Sequence, residues 1–495
     1  MRLRPVEEFR VERDQLIETV AAQLGLGRRL ALVAGTEDGT ACRVVYVFLG
    51  SAGERAEVSL RVPRDDAWVP SLAGLSYQAG RFERELHDLY GIVAHDHPQP
   101  YRLVRHAHWP TGFYPLLDAA VTPSAFDAKV GFPFMEVAGK GVYEIPVGPV
   151  HAGLIEPGHF RFSVVGETIV RMYQRLYFVH RGVEKLFIGR EVSDGVELAE
   201  RISGDTAIGH NLAYLMAVED AVGIEIGPRA ALIRALLLEL ERLYNHIADL
   251  GALANDAGFG IANSHAGRLR ETLLRHNALL TGHRLLRGAL HLGGAELLAE
   301  PDLPLVASVA AEVAELAEIA TSHSLVANRL NTTAVLPTDQ AQRLGVLGYV
   351  ARGSGVAIDA RADQPFVDLG PEFRVVTRLD GDVRARFDVR AEEVAVSAKL
   401  VADLAGRIAA APIEAAKRLP LLTHTVAGLG VVEAWRGTLV HRVEVGPGGV
   451  LKRVKVVDPS FLTWPGLPVA LNDVIVPDFP LANKSFNCSY AGNDL

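Results

Sequence analysis

A chain of 495 residues, 49% of them hydrophobic and 22% charged, is long enough for two to four cored domains and has the composition of a globular protein rather than a fibre or a disordered segment. A net charge of -9 without any Lys/Arg cluster excludes nucleic acid as the main partner. No run of about 18 apolar residues is present to span a bilayer, and the stretch MRLRPVEEFRVERDQ has no apolar core of a secretory signal.

Residues 1–117 read as a mixed α/β unit. Asp14 to Leu24 has the spacing of a short amphipathic helix, and ALVAGTEDGTACRVVYVFLG and AEVSLRVP read as Val-rich strands around an E-D-G-T turn. Within it Cys42 reads as an isolated thiol in a reducing compartment. Two cysteines, Cys42 and Cys488, cannot build a disulfide framework or a four-thiolate metal site. RFERELHDLYG, from Arg81 to Gly91, alternates Arg and Glu before a glycine, the pattern of an ion-paired, solvated helix end. His87, His95 and His97 follow in a turn-prone context and read as surface histidines. Residues 118–144 have no clear period and read as a linker.

Residues 145–495 form the larger domain. YEIPVGPVHAGLIEPGHFRFSVVGETIVRMYQRLYF predicts two or three strands. The loop Gly148 to Arg161 holds His151, Glu156, His159 and Arg161 between prolines and glycines, which suits either a polar site facing a cavity or a plain structural loop. HRGVEKL follows, with His180, Arg181, Glu184 and Lys185. It is an ordinary ion-paired helix start, or Glu184 is buried with its pKa raised toward neutrality and carries protons. In ERISGDTAIGH, Ser203 and Thr206 stand at the spacing of a C-x-x-C metal corner, yet neither is cysteine. Ser489 and Gly492 repeat that spacing near the end of the chain, with Cys488 one place early.

From about 194 to 330 the pattern is helical. RAALIRALLLELERLYNHIADLGALANDAG is apolar nearly all round and predicts a core helix; LVASVAAEVAELAEIATSHSLVANRL predicts a second long helix and EEVAVSAKLVADLAGRIAAA a third. ARGSGVAIDARADQPF crowds Arg352, Asp359, Arg361 and Asp363 together, but a lone G-x-G without a P-loop lysine does not make a nucleotide site. Residues 422–457 turn β-rich with G-P-G-G as a hairpin turn. The fold class is α+β: an N-terminal mixed α/β domain, then a mainly helical domain with flanking β elements.

Seven segments in this order, RFERELHDLYGI, GPVHAGLIEPGHFRF, HRGVEKL, ERISGDTAIGHNLAY, RALLLELERLYNH, RGSGVAIDARADQPF and SFNCSYAGNDL, carry a resemblance. The larger part resembles the large subunit of group 4, membrane-bound nickel-iron hydrogenases of the formate hydrogenlyase kind, itself related to the quinone-site large subunit of complex I. The N-terminal part resembles the small complex I subunit that flanks it. The resemblance implies a hydrogenase-like fold and a peripheral subunit on the cytoplasmic face of the membrane, without a transmembrane segment of its own. An iron-sulfur small subunit, which would hold the iron-sulfur cluster, and antiporter-like membrane-arm subunits are the implied partners. In the hydrogenases the two C-x-x-C pairs hold nickel and iron; the matching positions here are Ser203, Thr206, Ser489 and Gly492, so no metal is expected in this chain. The implied role is coupling of electron transfer to proton or ion translocation, in an oxidoreductase complex of NADH:quinone type rather than an active hydrogenase. The alternatives are a quinone-reducing subunit, with the quinone near His151, His159 and Gly204, and a non-catalytic scaffold. In complex I a tyrosine stands where this chain has Gly204. The polar set expected behind the former metal site is Glu156, His159, Arg161, His180, Glu184, Arg201, His210, Asp359, Arg361 and Asp363. Of these Glu184, His159, Arg161, His210, Asp359, Arg361 and Asp363 are the expected proton-handling residues.

Overall fold

The computed structural model describes residues 5–117, 125, 131–153, 155–413 and 417–495. Of the predicted linker 118–144, residues 118–124 and 126–130 lie outside the described residues, and its last residues already belong to a strand, Val142–Val147.

The N-terminal unit is a four-stranded sheet in the order Glu7–Arg10, Arg55–Pro63, Ala41–Leu49, Arg29–Asp38. The first pair runs parallel and the others antiparallel. Helix Leu16–Gly25 turns Leu16 and Val20 inward, as its spacing predicts. Helix Tyr77–Tyr90 starts on the Ser76 hydroxyl, which accepts the Ala79 N–H, and stops at Gly91 in the left-handed conformation. It crosses the sheet closely because Gly35 has no side chain: a Cβ there would lie 2.8 Å from the Tyr90 ring. This helix corrects the sequence reading. Its charged residues Arg81, Glu83, Glu85 and Asp88 are buried, not solvated. Asp88 alone accepts the N–H groups of Leu103, Val104 and Arg105 at 2.7, 2.8 and 3.2 Å.

The larger domain opens with an antiparallel sheet of Val142–Val147, His159–Val165 and Thr168–Arg175. Its core is helical. Pro228–Asp256, the predicted core helix, packs between Gly260–Thr281 and Val383–Ala410. The second predicted long helix is two, Leu303–Ser322 and Ser324–Leu330, broken at His323, whose ring stacks on Phe259.

Between the helical core and the N-terminal unit lies an antiparallel meander, Val426–Ala434, Gly437–Val445 and Leu451–Val457, buried on both faces. Helix Ala207–Val222 lies directly on one face. Gly428 and Gly430 make that contact: a Cβ at Gly430 would fall 1.9 Å from the Ala213 carbonyl and one at Gly428 2.2 Å from the Ala221 nitrogen. The other face carries Arg442, Glu444, Arg453 and Lys455, neighbours across the strand pair in the register Arg442 to Lys455 and Glu444 to Arg453. Buried charges need partners, and the N-terminal unit supplies them. Arg442 pairs with Glu57 at 3.1 Å, Glu444 with Arg43 at 2.7 Å and Lys455 with Glu85 at 2.7 Å, while Arg453 donates to the Gly35 carbonyl at 2.9 Å.

Candidate functional site

The four positions at metal-corner spacing, far apart in sequence, come together. Ser203 and Thr206 lie in the turn that leads into helix Ala207–Val222; Ser489 caps the short helix Tyr490–Asp494, on which Gly492 sits. All four are buried. The Ser203 and Ser489 hydroxyls are 2.9 Å apart, in hydrogen-bond contact. Ser489 Oγ also accepts the Gly492 N–H at 2.9 Å, and its own N–H donates to Ser460 Oγ at 2.9 Å. A side chain at Gly492 has no room, because a Cβ would lie 2.4 Å from Asp458 Oδ2.

One side of this cluster is an ion pair that sequence reasoning left out of the site. Asp205 and Arg436 meet fork to fork, both guanidinium nitrogens donating to the carboxylate at 2.7 Å. Ser203 and Thr206 donate to the same carboxylate, each at 3.0 Å, and the Trp435 indole N–H donates to Thr206 Oγ1 at 3.1 Å. Burial by itself would raise the Asp205 pKa; Arg436 and the two hydroxyls outweigh it and hold the carboxyl well below the usual range. Arg436 is anchored in turn by donating from Nε to the Asn487 carbonyl at 2.6 Å.

On the other side His210 bridges two groups. Its Nε2 lies 3.1 Å from Asp458 Oδ2 and its Nδ1 3.1 Å from His441 Nε2. All three side chains are buried, and the far nitrogen of His441 has no hydrogen-bond partner among the described residues. Burial, then the neighbouring His210, pushes the His441 pKa well down. Beneath helix Ala207–Val222, Glu241 accepts the N–H groups of Ile208 and Gly209 at 2.7 and 3.0 Å, and burial raises its pKa to about 8.

The polar set expected from the sequence does not share one cavity. Glu156 and His210 reach the corner: Glu156 accepts the Ala491 N–H at 3.0 Å, tying the Gly148–Arg161 loop to the last helix. His151 and His159 do not reach it, each bonding a loop carbonyl, Gly158 at 2.8 Å and Gly148 at 3.2 Å. Arg161 lies over the Phe134 ring and faces Glu144 at 3.4 Å. Arg201 forms an exposed pair with Glu197, and Gly204 is exposed beside the corner. His180 contacts the Asp494 carbonyl at 2.7 Å.

Glu184 corrects the proton-carrier reading. It is buried, but Arg453 at 2.7 Å, Lys455 at 3.1 Å and the Val456 N–H at 3.0 Å surround it. Burial alone would raise its pKa; those partners instead hold it at about 2. It is an ion-pair anchor against the meander.

Asp359 and Arg361 belong to a third, fully buried network. Arg361 bonds Asp359 at 2.7 Å and Glu239 at 3.1 Å; Arg352 bonds Glu393 at 2.9 Å and Glu433 at 2.8 Å; His246 meets Glu393 at 2.8 Å. Asp363 lies at its edge, where its carbonyl accepts the Gly53 N–H from the N-terminal unit at 2.7 Å. The network reaches the corner through the end of one meander strand, since Arg242 donates to the Glu433 and Ala434 carbonyls just before Trp435 and Arg436. Its signal was in the sequence: Glu239, Arg242 and His246 recur at three and four residues, one polar stripe on a helix read as a core element.

The comparisons with known proteins give the class of this chain, a subunit of the respiratory and hydrogen-metabolising kind. Residues 9–124 match the family described as respiratory-chain NADH dehydrogenase, 30 Kd subunit, residues 181–254 nickel-dependent hydrogenase, and residues 256–427 respiratory-chain NADH dehydrogenase, 49 Kd subunit. The chain is 32% identical to formate hydrogenlyase subunit 5 of Escherichia coli (strain K12), over 91% of its own length and 81% of that protein's. It is also 32% identical to hydrogenase-4 component G of the same organism, over 94% and 83%. A chain of the membrane-bound sulfane sulfur reductase, an archaeal respiratory membrane complex, superposes with a TM-score of 0.64 at 25% identity, covering 73% of this chain and 100% of its own. The chain belongs to the family of hydrogenase and complex I large subunits that includes formate hydrogenlyase subunit 5. As in the sequence reading, no described helix is long and apolar enough to cross a membrane.

Proposed function

We propose that this chain is a peripheral, cytoplasmic-face subunit of a membrane-bound, complex I-like redox complex. In this reading it has lost the nickel-iron centre and couples electron transfer to proton or ion translocation. An iron-sulfur small subunit would lie against the face that exposes Gly204, and antiporter-like subunits would form the membrane arm. The observation that carries the reading is the Ser203–Ser489 contact at 2.9 Å. Three hydroxyls and a glycine do not fit nickel and iron, which need soft, anionic thiolates. The hydroxyls are also committed to each other, to Asp205 and to a helix cap. With the centre gone, Asp458, His210 and His441 supply a line of protonatable groups at hydrogen-bond distance that leads inward from the corner.

The test is metal analysis of the chain purified with its small subunit. The expected result is iron equal to the partner's cluster content and no nickel; nickel near one per chain overturns the reading. The rival quinone-reducing subunit would seat the head group by His151, His159 and Gly204. Both histidines must first release their loop carbonyls, so a quinone-titrated reduction assay in which H151A and H159A lose activity would favour it. A pure scaffold would keep coupled turnover when His210 is changed to Phe; the coupling reading expects its loss.

A further inference from the structure

The buried network around Arg352 holds one carboxylate more than its cations match. Asp359, Glu239, Glu393 and Glu433 are all at most 1% exposed. Among the described residues, three buried guanidiniums, Arg242, Arg352 and Arg361, lie between them. Arg29 and Asp363, half-buried at the edge, add one charge of each sign and leave the difference as it is. Arg390, near His246, is taken by Asp249 at 3.2 Å. An unmatched charge this deep is costly, and a proton removes it.

His246 is a poor place for that proton. Its Nε2 already faces Glu393 at 2.8 Å, and its Nδ1 is buried without a hydrogen-bond partner among the described residues, between the edges of the Tyr349 and Trp435 rings. An imidazolium would bury a second N–H with nothing to accept it. Burial lowers the His246 pKa, and Arg242 and Arg390 add to that against Glu393. The ring stays neutral and donates to Glu393.

The carboxylates are not equally served. Asp359 has two Arg361 nitrogens at 2.7 and 3.0 Å. Glu239 has Arg242 and Arg361, each at 3.1 Å, and the Ser397 hydroxyl at 2.6 Å. Glu393 has Arg352 at 2.9 Å besides His246. Glu433 has Arg352 alone, at 2.8 Å on Oε1, and shares it with Glu393 and Asp359. Its Oε2 meets only neutral donors, the Ala360 N–H at 3.0 Å and the Thr438 hydroxyl at 2.8 Å. A hydroxyl accepts as readily as it donates. Burial, then the Asp359 charge, raises the Glu433 pKa.

We propose that Glu433 carries the network's extra proton on Oε2 at neutral pH, a neutral acid donating to Thr438. Trp435 and Arg436 follow it by two and three residues, and Arg436 holds Asp205 at the corner. A use of this proton in coupling rests on the reading above; its presence does not.

Infrared spectra of the full chain at pH 7 test it. Parent minus E433Q should contain the carbonyl stretch of one protonated carboxyl per chain, moving to lower frequency in D2O. Glu241, whose pKa is also raised, is common to both and cancels. T438V, which keeps the shape but removes the acceptor, should move the same band to higher frequency. No acid band in parent minus E433Q overturns the proposal. Should E433Q fail to fold, T438V decides, and an unmoved acid region overturns it. Coupled turnover of the assembled complex carrying E433Q is a separate readout: its loss supports the coupling use, and an unchanged rate overturns that use while the band still establishes the proton.

Discussion

Replacing Glu184 by Gln tests how the start of the larger domain is anchored to the meander. The carboxylate lies between Arg453 and Lys455 and is 4% exposed, so solvent screens the pair little. Its pKa stands at about 2 in the fold against an ordinary 4.5, a difference worth roughly 3–4 kcal/mol of stability. That matches the roughly 3–5 kcal/mol lost when one partner of a buried pair is removed. The sign follows from the depressed pKa: the contribution is fully present above about 4.5 and is lost as pH falls through about 2. Urea unfolding of the full chain and of E184Q, from pH 3 to pH 7, reads it directly. At pH 7 E184Q should be less stable by about 3 kcal/mol, and the gap should narrow toward pH 3. Many carboxylates titrate in that window, so the difference between the two proteins, not either curve, carries the information. A gap under about 1 kcal/mol at pH 7, or one that stays constant with pH, refutes the argument.

Gly492→Ala should destabilise the chain by about 1–3 kcal/mol, because its Cβ would meet Asp458 Oδ2 at 2.4 Å and force that carboxylate off His210; an unchanged melting temperature would count against the close packing of the corner. Glu241→Gln should flatten the pH dependence of stability between about 4.5 and 8. A carboxyl whose folded pKa is raised to about 8 costs the fold progressively as pH climbs through that range, so E241Q should gain on the parent as pH rises, read by chemical denaturation at pH 5 and pH 8. Glu197→Gln, which breaks only the exposed pair with Arg201, should change stability by less than about 0.5 kcal/mol in the same assay.

The helices and the meander were legible because their signals are local. Period, caps and the G-P-G-G turn placed Leu16–Gly25, Pro228–Asp256 and the 426–457 hairpins close to where they are. The burial of Arg81, Glu85 and Asp88 was not legible. A charged helix reads as solvated until one knows that Lys455 and the 101–117 loop lie against it. The corner was half legible: its four positions follow from spacing, and the structure brings them together. Asp205 and Arg436 were missed as a pair because they lie 231 residues apart and nothing in either segment announces the other. Glu184 shows the limit from the opposite side, since burial was anticipated but its two cationic partners, on a strand near the end of the chain, reverse the effect of burial.

The joint between the two units has a consequence for how such a protein can be encoded. Glu57 with Arg442, Arg43 with Glu444 and Glu85 with Lys455 cross it, and Gln364 donates to the Gly50 and Glu54 carbonyls at 2.9 and 3.0 Å. None of these contacts involves residues 118–130. Joining the halves in one polypeptide therefore sets their stoichiometry and local concentration, not their geometry. Residues 1–117 and 131–495, produced as separate polypeptides in one cell, should assemble and co-purify through moderate salt, because buried pairs are screened weakly. One gene or two would then specify the same particle.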